Sequence, residues 1–252
     1  MIETQGVSKA YHDRLVVNEV SINISKGGLT SIIGPNGAGK STLLSMISRL
    51  TPMTAGRVQV DGLDITRTPG AELAKRLAIL RQHNESALRL TVRDLVAFGR
   101  FPHSGGRLTD TDQQHIDEAI HYLALEEYQQ RHLDELSGGQ RQRAYVAMVM
   151  CQDTDYLLPD EPLNNIDMHH AVVMMRLLRC TADEKGKTVV VVLHDINFAS
   201  CYSDQIIAMR EGQVAYQGTP EQIIRGEVLS DIYQLPIQVH EIAGQRICVY
   251  FR

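Results

Sequence analysis

The stretch Gly34-Pro35-Asn36-Gly37-Ala38-Gly39-Lys40-Ser41 limits what this chain can fold into more than any other feature. It fits the pattern GxxxxGK(S/T), in which glycines let backbone N–H groups curl around the β- and γ-phosphates of a nucleotide while a lysine adds a point charge. Ser41 offers a hydroxyl to Mg²⁺, and a helix starting there turns its positive end toward the anion. The motif needs a strand before it and a helix after it. Leu29 to Ile33 is a short apolar, β-branched run that reads as a buried parallel strand. Ser41 to Leu50, with Thr42 in the first turn, reads as a helix with an apolar stripe. The expected class is α/β, a P-loop nucleotide-binding core on a parallel sheet.

A second glycine motif, Leu136-Ser137-Gly138-Gly139-Gln140, precedes the helical run RQRAYVAMVM. Ser137 is a sound N-cap, and the glycines expose backbone N–H groups to an anion. Around these motifs the patterning changes twice. Up to about residue 65, the runs Val16 to Ile24, Leu29 to Ile33 and Arg57 to Val60 alternate with turn signals at Lys26-Gly27-Gly28 and Asp61-Gly62, which predicts an N-terminal antiparallel β subdomain. From about Glu85 to Asp153 strong strand runs are absent. Thr91 is a plausible cap for TVRDLVAFG, and Thr109 or Thr111 for a second helix through Ile116, Ala119, Ile120 and Leu123. Strands return at Asp155 to Leu158, Thr188 to Leu193, Gln205 to Met209 and Gln213 to Tyr216. The expected organisation is one domain, 1–252: a core at 1–85 and 154–216, an inserted α-helical signature subdomain at 86–153, and a C-terminal extension at 217–252.

Composition narrows the function. A chain of 252 residues with 43% hydrophobic and 22% charged residues is of ordinary globular make-up. Net charge is −5 and no basic stripe appears, so no nucleic-acid partner is expected. Cys151, Cys180, Cys201 and Cys248 lie far apart without a CxxC pair, as small buried hydrophobes in a reducing cytosol would. No stretch approaches about 18 consecutive apolar residues, and the N-terminus lacks the apolar core of a signal peptide. Any membrane role therefore comes through a partner chain.

With both motifs in place, the chain resembles the ATP-binding subunits of ABC transporters over nearly its full length. The resemblance implies ATP and Mg²⁺ as cofactors and ATP hydrolysis as the activity. Asp155 to Glu161 (DYLLPDE) is similar to the family's Walker B strand. Asp160 would then hold the metal through water, and Glu161 would orient and polarise the attacking water. Gln82, after the strand-like run Leu77 to Leu80, resembles the Q-loop glutamine, which contacts the metal or the water. His194, after TVVVVL, resembles the switch histidine that hydrogen-bonds the γ-phosphate. Tyr11 stands where the family places an aromatic that stacks on adenine, an interaction of ~1–3 kcal/mol per base. Asn164-Asn165-Ile166-Asp167 resembles the D-loop but departs from its commoner Ser-x-Leu-Asp form, which leaves Asn164 without a role. Pro159 stands where the family usually has an aliphatic residue. It gives no N–H to a ladder, so the strand is expected to bulge, to end early or to face no partner there, at a cost in stability or a small displacement of Asp160.

In this family the signature at Ser137 to Gln140 binds the γ-phosphate held by the opposite subunit. The resemblance thus implies a head-to-tail dimer with a second copy, giving two composite sites. It also implies integral membrane permease subunits, a periplasmic or surface substrate-binding protein acting indirectly, and a peripheral location on the cytoplasmic face of the inner membrane. Arg100-Phe101-Pro102-His103 and the run Asp160 to Asp167 are similar to importer ATPases for ferric siderophores, haem and cobalamin. The expected cargo is an iron(III)–siderophore. The alternatives are haem, cobalamin or another substrate, or a soluble ABC ATPase without transport.

Overall fold

The computed structural model describes residues 1–81, 89–164 and 166–251. The chain divides into two compact units, Met1–Thr68 with Met175–Arg252, and Pro69–Met174. The first unit opens with β1 (Ile2–Tyr11), β2 (Arg14–Val20) and β3 (Asn23–Ile24), followed by β4 (Gly28–Ile33), α1 (Lys40–Ile47), β5 (Ala55–Val60) and β6 (Leu63–Asp64). β1 runs antiparallel to β2, β3 and β5, and β5 to β6, so this sheet is the expected antiparallel subdomain. The predicted run Val16 to Ile24 is two strands. β2 ends at Val20, and Thr4 ties the break, its hydroxyl donating to the Val20 carbonyl and accepting from the Ile22 N–H.

The second unit contains α2 (Gly70–Ala74), β7 (Leu77–Leu80), α3 (Val92–Phe98), α4 (Phe101–Ser104), α5 (Asp110–Tyr122), α6 (Gly138–Cys151) and β8 (Tyr156–Pro159); α7 (Met168–Lys185) starts here and runs on into the first unit. Three α-helices of this unit, α3, α5 and α6, carry reciprocal caps built by side chains three residues apart: Thr91 with Asp94, Thr109 with Asp112, and Ser137 with Gln140. Thr109, not Thr111, caps α5. Each such cap stabilises a helix start by about 1 kcal/mol. α3, α5 and α6 pack on one another through buried Val92, Leu95, Val96, Ile116, Ile120 and Val146, each contributing roughly 1.5–3 kcal/mol on full burial. Arg100 and Asp112, both buried, join the group. Arg100 Nε donates to Asp112 at 2.8 Å, and its Nη1 donates to the carbonyl of Cys151 at the end of α6 at 2.9 Å.

Pro159 neither bulges nor shortens β8. Leu77 to Leu80 pair in parallel with Tyr156 to Pro159 in unbroken register. Tyr156 N–H donates to Arg76 and Asp160 N–H to Leu80, so the donors toward β7 come from even-numbered residues. The amide that proline lacks belongs to the other set, and the β7–β8 ladder loses nothing.

The first unit resumes with β9 (Thr188–Val192), α8 (Ile196–Tyr202), β10 (Gln205–Arg210), β11 (Gln213–Gly218), α9 (Pro220–Ile223), α10 (Gly226–Tyr233), β12 (Gln238–Ile242) and β13 (Gln245–Val249). β4 lies between β9 and β10, parallel to both, and β11 closes antiparallel on β10. β9 is buried at every position, which explains its β-branched run. Cys151 and Cys248 are buried, Cys180 and Cys201 only partly, and all four are free thiols.

Candidate functional site

Within the first unit, β4 delivers the chain into the glycine loop and α1 receives it. Gly34 has φ 141°, and a side chain on it would put a Cβ 2.1 Å from the Met209 carbonyl oxygen. Gly39, at φ 96°, would meet the Val16 carbonyl at 2.7 Å. Both positions therefore require glycine for space as well as conformation. Gly37, at φ 79°, faces open space. Asn36 and Gly37 are exposed while Ala38, Gly39 and Lys40 are buried. Lys40 folds back over the loop, its ammonium donating to the carbonyls of Gly34 (2.7 Å) and Pro35 (3.0 Å). Gly39 gives α1 no side-chain cap, in contrast to α3, α5 and α6. A helix start without a side-chain cap, behind a glycine nest and beside a lysine, suits a phosphate. Ser41 and Thr42 lie in its first turn. A cavity of about 450 Å³ borders the loop, lined by Arg14, Val16, Asn36, Gly37, Gly212 and Gln234 among others.

Two further predicted residues belong to this unit. Ile32 pairs with Val192, so Gly34 and His194 leave adjacent parallel strands at the same, C-terminal, end. His194 is exposed, and the following Asp195 caps α8 by accepting from Asn197 N–H at 2.7 Å. Tyr11 ends β1 and is half exposed; the Lys9 ammonium lies over its ring, 4.9 Å from the centroid.

The second unit holds the signature and the acidic pair. Ser137 and Gln140 cap each other: the Gln140 side chain accepts from the Ser137 N–H at 2.9 Å, and the Ser137 hydroxyl accepts from the Gln140 N–H at 3.3 Å. Gly138 and Gly139 form the first turn between them. Asp160 follows β8 and is 8% exposed. Glu161 adopts φ 50°, in the left-handed region, which turns the chain sharply after the strand. Asn164 Nδ2 donates to Glu161 Oε2 at 2.6 Å, and Gln142 on α6 reaches the Pro162 carbonyl at 3.2 Å. Signature helix and acidic turn are thereby tied within one unit. Gln82 and Asn165 lie outside the described residues.

Sequence reasoning did not find what Asn164 and Arg100 hold. Asn164 holds a carboxylate three residues back, a spacing that an Asn-after-Glu turn signals once Glu161 is singled out. Arg100 is buried in an ion pair, which no local pattern announces. Mg²⁺ takes oxygen donors, and each unit, taken by itself, offers one of that kind: a hydroxyl at Ser41 in the first and a buried carboxylate at Asp160 in the second.

Comparison with known proteins places this geometry. A family profile described as ABC transporter matches residues 17–164. The chain is 53% identical over 251 residues to the petrobactin import ATP-binding protein YclP of Bacillus subtilis (strain 168), covering 100% of both chains. It is 51% identical over 250 residues to the petrobactin import ATP-binding protein FatE of Bacillus anthracis, covering 99% of this chain and 100% of that one. Among solved structures, the post-hydrolysis dimer of the ATP-binding cassette MJ0796 bound to ADP and Pi superposes with a TM-score of 0.78 at 29% identity, over 87% of this chain and 99% of that one. Glycine loop, capped signature helix and acidic strand end thus sit on a cassette fold, and the chain belongs to the ABC transporter family as an ATP-binding, ATP-hydrolysing subunit.

Proposed function

We propose that this ATPase powers uptake of an iron(III)–siderophore through partner permease subunits. It would sit on the cytoplasmic face of the membrane as a head-to-tail pair with a second copy of itself. The observation that carries the reading is full-length similarity, at 53% identity, to a petrobactin import ATP-binding protein. No helix among the described residues is long and apolar enough to cross a membrane, in keeping with a permease supplied by other chains. A substrate-binding protein outside the membrane would hand the cargo to that permease.

In this reading Gly34 to Thr42 wrap the β- and γ-phosphates, and the Lys40 ammonium swings from its loop carbonyls onto them. Tyr11 stacks on the adenine. Ser41 and Asp160, with Gln82, hold Mg²⁺, which when bound neutralises phosphate charge. Glu161 accepts a proton from the attacking water and aims it, and His194 hydrogen-bonds the γ-phosphate. The Ser137–Gln140 cap of the partner copy presents the N-terminus of its α6 to the same phosphate.

Two measurements test this. Glu161→Gln is expected to nearly abolish ATP hydrolysis while an ATP-bound dimer accumulates on gel filtration; a variant that hydrolyses normally removes Glu161 from the role of base. Deletion of the gene is expected to stop growth on siderophore-bound iron as sole iron source and to spare growth on haem. Loss of growth on haem or cobalamin alone reassigns the cargo.

A further inference from the structure

Beyond the residues given roles above, one side chain in the second unit joins two elements with different tasks. His170 lies in the first turn of α7. Its backbone N–H donates to Asp167 Oδ1 at 2.9 Å, and its ring Nδ1 meets Asp167 Oδ2 at 2.6 Å. Asp167 thus caps α7, and the capped residue grips the capping carboxylate in return. The other side of the ring faces the signature. A Cβ added to Gly139 would lie 2.5 Å from His170 Cδ2, 2.8 Å from Nε2 and 2.9 Å from Cγ. The ring therefore rests where any other residue at position 139 would carry its side chain. His169 meets the His170 ring edge-on, with centroids 5.5 Å apart.

A simple helix cap needs only Asp167. The ring contact with Gly139 adds what a cap does not, a fixed spacing between Asp167 and the first turn of α6. We propose that His170 is a positioning residue for the signature element, bracing Asp167 against Gly139 so that the start of α7 and the Ser137 cap approach the partner's nucleotide as one piece. This rests on the shared-site reading given under Proposed function. The bond to Asp167 is partly exposed and weak by itself. What the brace supplies is geometry: without it the two elements must be ordered separately when the copies close on ATP.

The test uses the full chain carrying Glu161→Gln, with light scattering to find the ATP concentration at half-maximal dimerisation. Adding His170→Ala is expected to raise that concentration at least several-fold, while ADP affinity of the monomer stays at the parent value because the glycine loop is untouched. Gly139→Ala is expected to raise it too, by pushing the ring aside. The double variant Gly139→Ala/His170→Ala is expected to be no worse than the more impaired single, since one contact is being broken twice. His170→Phe keeps an aromatic ring over Gly139 and gives up the Asp167 bond. It carries the test if the alanine variant fails to fold, with a smaller rise expected. Unchanged dimerisation in His170→Ala or His170→Phe overturns the brace, as do strictly additive effects of the two alanine substitutions. A parent Glu161→Gln chain that stays monomeric in ATP overturns the shared site itself, and the brace with it.

Discussion

Glu161 shows how much a single side chain depends on its immediate neighbours. Its left-handed backbone turns the chain away from β8, and the Asn164 amide then takes one carboxylate oxygen. For the base proposed above, a hold on one oxygen fixes the direction of the carboxylate, which is what drawing a proton from a water in a fixed position requires. Hydrogen bonds to charged groups contribute ~1.5–3 kcal/mol, and about 1.4 kcal/mol is tenfold in rate. Asn164→Ala is therefore expected to lower kcat on the order of tenfold with little change in KM for ATP, as measured by steady-state ATPase kinetics. A drop confined to KM would say that Asn164 serves nucleotide binding instead. The Asn at this D-loop position gains a purpose that its departure from Ser-x-Leu-Asp concealed.

At the scale of elements, the helical unit hangs on Arg100. Its guanidinium links the turn before α4 to Asp112 in α5 and to the end of α6. The Asp112 carboxyl is held well below the usual carboxylate range, first by the Thr109 N–H it accepts from and then by Arg100 and the Thr109 hydroxyl. A carboxyl depressed in the folded state lends stability that is present in full above the unfolded value, near 3.9, and drains away as pH falls through the folded one. The gap in Tm between the native chain and Asp112→Asn is thus expected to be widest near neutral pH and to shrink progressively below about pH 4. A gap that widens in acid would reverse the sign. Local chemistry explains what was legible here: Thr91, Thr109 and Ser137 announce their helices because a cap is a short-range device, and β9 announces itself by unbroken β-branching. α7 was not among the expected helices, although Ala171, Met174, Met175, Leu178 and Ala182 recur at helical spacing and are buried. Arg100 was not legible, because its partners come from two other elements, α5 and α6, and a buried cation looks no different in sequence from a solvated one. For Pro159 three outcomes stood open, and the unbroken β7–β8 register removes two of them, the bulge and the early end. Proline's penalty depends on which way the missing amide points, and alternation along β8 decides that, not residue type.

For the whole molecule, the decisive claim is that neither copy completes a nucleotide site alone. The glycine loop, Tyr11 and His194 belong to one unit of the chain and the signature to the other, and the signature's cap is satisfied within itself by Ser137 and Gln140. That cap uses the N–H groups of Ser137 and Gln140, with Gly138 and Gly139 between them, and the proposal assigns this N-terminus of α6 to the nucleotide of a second copy. The most direct measurement mixes two chains, one bearing Asn36→Cys on the exposed rim of the loop and the other Ser137→Cys, with Cys180 and Cys201 replaced by serine in both and Glu161→Gln to hold ATP. The account predicts a disulfide-linked species of twice the mass that forms with ATP and not with ADP. Thiols that never join the two chains, or that join them equally with and without ATP, would contradict it.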